Sequence, residues 1–335
     1  MTTFRKIQLT GHGAPDMLTL AEATLTAPAA HEIRVKVLAA GVGFSDVMAQ
    51  HGGYPLAPGL PFTPGYDLMG IVDAVGSQVT SLQPGQRVAA LNPGFGCYAE
   101  YANLPAALAV PVPDGIDPAA AVSVVLNYLT AHAMLHGKAQ VQAGQSVLIH
   151  AAAGGVGSAL MQLGQLAGLK MYGTASGSKH ELLRQYGVKP IDYRTEDFLH
   201  RVMQETGSGV DAAFDPIGGA NLRRSYRAVK NGGCVVSYGF ASGNYGGLLP
   251  MALGVMQLGL FHLLPDGKRI RLCALPGMVK KDNAWYRATL TELLSLLAAG
   301  KLAPVIGARV PLQEAPRAHA LVESGSVSGK VVLVM

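Results

Sequence analysis

The chain has 335 residues, of which 49% are apolar and 14% charged, with 42 glycines and a net charge of +5. At about 150 residues per domain this length suggests two domains, each large enough to bury a core. A charged fraction well below the usual level of roughly 25%, with many glycines, excludes a disordered chain, a coiled coil and a disulfide-stapled mini-protein.

In chain order, the N-terminus Met1-Thr2-Thr3-Phe4-Arg5-Lys6 has no apolar targeting core. Glu32 to Val37 alternates polar and apolar residues and predicts a half-buried strand; Gly70–Gly76 and Gly85–Leu91 predict two more. Loops dense in Pro and Gly lie among them, including Gly52-Gly53-Tyr54-Pro55 and Pro58 to Gly65. The first ~120 residues therefore read as a β-rich, barrel-like domain.

Near residue 120 the rhythm changes. Helix-length stretches now alternate with short apolar runs at Ser146–His150, Met171–Thr174, Val210–Asp215 and Gly233–Gly239. That alternation predicts βαβ units, and near-continuous apolar strands fit a parallel sheet covered on both faces. Leu248–Leu264 is almost uncharged but shorter than the ~20 residues a spanning helix needs. It reads as a buried helix, or one at a subunit contact or pocket wall, with peripheral membrane contact as the lesser alternative. An amphipathic helix over Ala284–Ala299 and a last strand over Lys330–Val334 return the chain to the first domain. The 26 basic residues are scattered rather than clustered with aromatics, which argues against a nucleic-acid partner. Cys97, Cys234 and Cys273 are far apart with no CxxC, which reads as reduced thiols and a cytoplasmic protein.

The sharpest motif is Ser146-Val147-Leu148-Ile149-His150-Ala151-Ala152-Ala153-Gly154-Gly155-Val156-Gly157. A strand runs into a small-residue turn and then an apolar helix, which is the context that gives a dinucleotide fingerprint its meaning. Ala152 takes the first glycine slot and permits the tight turn. Gly154 takes the second and admits the pyrophosphate, and Gly157 takes the third and allows close helix packing. Gly155 and Val156 complete the helix start, where free amides and the positive dipole end favour phosphate. About 20 residues on, an NAD-binding unit carries an acid for the ribose 2′-hydroxyl. Here stand Thr174-Ala175-Ser176-Gly177-Ser178-Lys179, with no carboxylate until Glu181. The hydroxyls of Thr174, Ser176 and Ser178 with Lys179 suit a 2′-phosphate and point to NADPH; the alternative for Lys179 is a solvated lysine at a helix start. Tyr193 is a second candidate contact for the adenosine phosphate.

These residues resemble the medium-chain dehydrogenase/reductase superfamily, in its zinc-free quinone oxidoreductase (zeta-crystallin-like) branch. The resemblance rests on Ala39-Ala40-Gly41-Val42-Gly43-Phe44-Ser45-Asp46, on His150–Gly157 and on Gly329–Leu333. Within that branch the chain is especially similar to the synaptic-vesicle membrane protein relatives, through Asn127–Ala131, Gly173–Glu181 and Asp215–Gly219. The resemblance implies an α/β fold: a central Rossmann NADPH-binding domain over 123–266 and a GroES-like catalytic domain built from 1–122 and the return segment 267–335. It also implies a homodimer formed through an edge of the Rossmann sheet.

The zinc enzymes of the superfamily carry a Cys where this chain has Gly43 and a His where it has Tyr66, and only Cys97 remains of a structural zinc lobe. The resemblance therefore implies no metal, and hydride delivery from NADPH to a quinone or to the β-carbon of an α,β-unsaturated carbonyl. Tyr54 matches the tyrosine that related enoyl-thioester reductases set at the substrate carbonyl, as a donor or as a ring packed on the nicotinamide. Ser45 and Asp46 match a cofactor-contacting stretch, and Thr130 a residue near the nicotinamide ribose. Tyr238, Gly239 and Phe240 match the segment along the nicotinamide, and Cys273 either lines that region or is a plain buried thiol. Many quinone reductases carry Asn where Gly43 stands. Two other activities fit the same residues: enoyl-thioester reduction, and dinucleotide-dependent lipid handling or adaptor function with weak turnover.

Overall fold

The computed structural model describes residues 2–239 and 248–335. Its contacts divide the chain into two compact units, one of residues 1–129 with 276–335 and one of residues 130–275. The breaks expected from the sequence, at 122/123 and 266/267, fall several residues before these.

The first unit begins with β1 (Thr3–Leu9) and β2 (Leu18–Thr24), a hairpin on its own. There follow β3 (Glu32–Val42), α1 (Phe44–Gln50), β4 (Asp67–Val75), β5 (Arg87–Leu91), β6 (Tyr101–Pro105) and β7 (Ala109–Pro111). The period-two reading of β3 holds: Ile33, Val35 and Val37 are buried and Lys36 is exposed. α2 (Pro118–Ser123) starts where its sequence says it should, with Pro118 in its first turn and the Asp117 carboxylate accepting from the Ala120 amide at 3.1 Å. Wide π turns at residues 124–128 and 133–139 flank α3 (Leu129–His132).

The second unit carries β8 (Ser146–Ile149), α4 (Gly155–Leu166), β9 (Lys170–Ala175), α5 (His180–Gln185) and β10 (Val188–Asp192). It continues through α6 (Phe198–Thr206), β11 (Val210–Asp215), α7 (Gly219–Ala228), β12 (Val229–Ser237), α8 (Leu248–His262) and β13 (Arg269–Leu272). The strands form one six-stranded sheet in the order β10-β9-β8-β11-β12-β13, parallel throughout. Order reverses at β8, so the connections wind both ways and the ends of β8 and β11 flank a switch point. Leu148, Ala213 and Val235 of the central strands pack with Phe198, Val202 and Leu222 of the covering helices.

α9 (Leu275–Lys281), α10 (Asn283–Ala298), β14 (Ile306–Pro311), α11 (Ala315–Glu323) and β15 (Lys330–Val334) complete the chain. In the first unit β14 and β15 join β3, β4, β5 and β7 in that order, with β6 also on β3. The helical run over 118–139 is long and apolar enough, by length and composition, to cross a membrane, and is mostly buried within the protein. The apolar stretch conspicuous in the sequence is 248–264 instead; there Ala252–His262 is a shorter apolar helix with Leu253, Met256 and Leu260 exposed, and Leu263 just past its end is exposed as well.

Candidate functional site

In the second unit, β8 ends at Ile149 and turns through Ala151, whose φ of 49° is left-handed and costly for a residue with a Cβ. A Cβ on Gly157 would lie 2.2 Å from the Ala151 carbonyl oxygen and 2.5 Å from that of Ala152, so only glycine lets α4 close against the turn. The Gly154 amide donates to Ala151 O at 2.9 Å, and the Ser158 amide donates to Gly154 O at 2.8 Å. The amides of Gly155, Val156 and Gly157, in the first turn of α4, have no helical carbonyl four residues back. Together with the positive end of the helix they form a seat for phosphate.

A buried hydrogen-bond chain supports this turn from within the sheet. The Ser225 hydroxyl donates to Asp215 Oδ2 at 2.6 Å, so its oxygen accepts from His150 Nε2 at 3.0 Å. His150 Nδ1 then accepts from the Thr174 hydroxyl at 3.0 Å. Burial holds the imidazole below its usual pKa and keeps it neutral. Asp215 also accepts from the amides of Ile217 and Gly218 at 2.7 and 2.9 Å and from Asn221 Nδ2 at 2.9 Å. One carboxylate thus fixes the turn after β11 while the histidine ties β8 to β9 and α7.

This network changes the reading of Thr174. Its side chain is 2% exposed and engages His150, so it faces the inside of the sheet and not the tip of β9. Ser176 and Ser178 remain at the tip with their hydroxyl oxygens 3.4 Å apart, followed by half-buried Lys179. Two neighbours escape a linear reading. The β9–β10 register sets Asp192 opposite Ala175, and the Asp192 carboxylate accepts from the Gly177 amide at 3.0 Å. Arg194 is the other: burial and then its like charge hold the Lys179 ammonium below the usual value. The Arg194 guanidinium also lies 5.7 Å from the ring centroid of Tyr193, which is 56% exposed.

At the end of β12 the Tyr238 amide donates to Asp215 O at 3.0 Å, and burial pushes the Tyr238 phenol well above its usual range. A Cβ on Gly239 would come within 2.8 Å of Pro216 O, so the two strand ends approach closely only through glycine. Cys273 donates its amide to Ser237 O at 2.9 Å, and burial lifts its thiol to about 11, which keeps it protonated at neutral pH. Phe240 lies outside the described residues. Thr130 is buried in α3.

The first unit holds the remaining candidates. Asp46, in the first turn of α1, accepts from the Gly43 amide at 2.9 Å and the Gly65 amide at 3.0 Å. Burial lifts its carboxyl to about 7 against these two bonds. Asp46 therefore knits α1 to the 65–66 turn, and Ser45 beside it is half-buried. Tyr54 is half-buried in the loop after α1, and its hydroxyl oxygen accepts from the Tyr66 hydroxyl at 3.2 Å. Tyr66 is 1% exposed; in the sequence it figures only as the residue that replaces a zinc ligand. The two rings meet edge to face at 5.9 Å, and Phe95 packs on both, at 4.2 Å from Tyr66 and 6.1 Å from Tyr54. Among the described residues no group of three or more His, Cys, Asp or Glu side chains is arranged to hold a metal.

Comparison with known proteins matches residues of both units. Residues 29–114 match the alcohol dehydrogenase GroES-like domain, and residues 186–333 match a family described as zinc-binding dehydrogenase. The chain is 34% identical to a quinone oxidoreductase of Pseudomonas aeruginosa over 98% of this chain and 99% of that one. It is also 34% identical to the mouse synaptic vesicle membrane protein VAT-1 homolog, over 98% of this chain and 83% of the relative. Among solved structures, Escherichia coli quinone oxidoreductase complexed with NADPH superposes with a TM-score of 0.88 at 30% identity, covering 100% of both chains. On this sequence match, with a parallel dinucleotide-type sheet in one unit and a GroES-like domain in the other, the chain belongs to the medium-chain dehydrogenase/reductase family, among the quinone oxidoreductases and VAT-1 homologues.

Proposed function

We propose that the protein is a zinc-independent, NADPH-dependent reductase whose acceptor is a quinone or the β-carbon of an α,β-unsaturated carbonyl compound. The observation that carries this reading is the glycine-closed turn at Gly154–Gly157 together with a β9 tip of hydroxyls and cations. The NADPH bound by the Escherichia coli quinone oxidoreductase supports the same cofactor here. The amides of Gly155, Val156 and Gly157 take the pyrophosphate, and Ser176, Ser178, Lys179 and Arg194 take the 2′-phosphate. When bound, NADPH supplies the hydride and leaves oxidised, while the substrate oxygen that gains charge takes its proton from water. Tyr54 donates a hydrogen bond to that oxygen and stabilises the delocalised enolate or hydroquinone anion.

Zinc does not suit the residues at the family's metal position. Gly43 offers no side chain, and burial pushes the phenol of Tyr66 and the thiol of Cys97 up, away from the ionised forms that bind zinc. A homodimer belongs to the same reading, since among the described residues β13 has a single neighbour in its sheet and Leu272 on it is exposed. Three free, buried cysteines suit a reducing compartment.

The test is NADPH consumption with a small quinone, a simple enone and an enoyl thioester, read at the nicotinamide absorbance on metal-free protein. Turnover of the quinone or enone, unaffected by a chelator, is expected. Turnover of the thioester alone would move the assignment to acyl-chain reduction, and NADPH binding with no turnover of any acceptor would leave a binding protein.

A further inference from the structure

Tyr66 is held on several sides by its neighbours. Its carbonyl accepts from the Asn92 amide at 2.6 Å, and the turn that begins there delivers Phe95 onto its ring. Phe95 has φ 65°, a left-handed backbone that is strained for an aromatic residue. The Asn92 side chain restrains it by donating to the Phe95 carbonyl, and the Phe95 amide donates back to Asn92 O at 3.1 Å. Phe62 also packs edge to face with Phe95 at 5.3 Å. A strained backbone conformation thus holds the ring that braces Tyr66, and the group Tyr66 touches with its one polar side-chain atom is the Tyr54 hydroxyl.

We propose that Tyr66 is a positioning residue for reduction: by donating its hydroxyl hydrogen to Tyr54 Oη it fixes the Tyr54 phenol and leaves the hydrogen of Tyr54 to be donated to the substrate oxygen. This inference rests on the reading of Tyr54 as the substrate's donor. The direction of the bond is decisive. A phenol has one hydrogen, and in the Tyr66–Tyr54 pair it is Tyr66 that gives its own. Among the described residues the Tyr54 hydroxyl makes no other hydrogen bond. An oxygen that accepts a hydrogen bond polarises its own O–H and becomes the stronger donor. Burial also keeps both phenols protonated far into the alkaline range, so the pair serves at neutral pH as a chain of neutral donors pointing one way. Tyr66 is fully enclosed, whereas Tyr54 is only half-buried, so the chain opens outward at Tyr54.

The test is a double-mutant cycle measured with NADPH and the acceptor that the wild type turns over. Tyr54→Phe should lower kcat about 100-fold, as loss of a donor at a developing oxyanion does. Tyr66→Phe should lower kcat about tenfold, the usual effect of one neutral hydrogen bond, with KM, NADPH affinity and melting temperature held. Adding Tyr66→Phe to Tyr54→Phe should cost nothing further, because Tyr66 acts only through Tyr54. Installing 4-aminophenylalanine in place of Tyr66, which keeps a hydrogen to donate, should restore kcat to within about threefold. A Tyr66→Phe variant with unchanged kcat, or one whose loss adds in full to that of Tyr54→Phe, overturns the positioning role while Tyr54 stands. An unchanged kcat in Tyr54→Phe instead removes Tyr54 as donor, and the inference with it.

Discussion

At the tip of β9, burial and then the like charge of neighbouring Arg194 hold the Lys179 ammonium below its usual value. Two neighbouring cations are relieved by a shared anion, and the 2′-phosphate of NADPH has the charge and the acceptor oxygens to engage both. Lys179→Ala should therefore raise the dissociation constant for NADPH by about 10–100-fold, the range of one charge-assisted contact, and leave that for NADH within about twofold. Quenching of intrinsic fluorescence on titration with each dinucleotide measures both, and equal losses would take the 2′-phosphate away from Lys179. Half of this arrangement is legible in the sequence: the missing acid at the tip and the hydroxyls with Lys179 are contiguous in the chain. Arg194 and Asp192 come to the same place through the register of β10 on β9, which no local pattern encodes. Thr174 misleads for a related reason. A strand covered on both faces has no polar side to betray which way a hydroxyl points, and only the fold brings His150 to it.

Among elements, α11 is held to α1 and to the 97–99 segment by a buried histidine that no motif in the sequence marks. Gln50 donates its amide to Gly13 O at 2.8 Å, which turns its Oε1 toward His319 Nδ1 at 2.6 Å. Nδ1 therefore carries the hydrogen, and Nε2 accepts from the Tyr98 hydroxyl at 3.3 Å. Burial, helped by His51, pushes His319 down to about 3. The unfolded chain protonates this residue below about 6.5 and the folded chain does not, so its contribution is complete above that pH and is lost as pH falls toward 3. Between pH 7 and 5 the loss should be about 2 kcal/mol. Asp46 works in the opposite sense. Its carboxyl is raised to about 7, so the folded chain holds a proton that the unfolded chain releases above about 4, and stability falls as pH rises across that window. The two slopes oppose each other, and the wild-type curve should be flatter than either. The histidine is isolated by comparison: urea unfolding of His319→Gln and wild type at pH 5 and 7 should show a gap that narrows by about 2 kcal/mol at the lower pH. A gap independent of pH would mean that His319 takes up its proton as readily in the folded chain as in the unfolded one.

For the molecule as a whole, the decisive fact is that one unit is assembled from both ends of the chain, with the parallel-sheet unit inserted after residue 129. β15 lies between β14 and β3, parallel to one and antiparallel to the other. Its first residue, Lys330, is 3% exposed and sets its ammonium 3.0 Å from Asp67 Oδ2 on β4, across 263 positions of sequence. Between them runs β3, where a Cβ on Gly41 would lie 2.4 Å from Lys330 Cε and 2.5 Å from both Asp67 oxygens. Gly41 is legible as part of a family motif, but its reason is not, because the ion pair it makes room for exists only once the chain has closed. Two charges so enclosed need one another: the desolvation of either alone is uncompensated in the interior. Lys330→Met should therefore cost about 3–5 kcal/mol, while Asp67→Asn with Lys330→Met, which removes both charges, should recover most of it. Hydrogen exchange gives the location. Amides of β3, β4 and β15 should lose protection in Lys330→Met while those of β8, β11 and β12 keep theirs, since the second unit has its own core. Loss of protection spread evenly over both sheets would mean that the two units fold as one, and that the pair secures the entire chain.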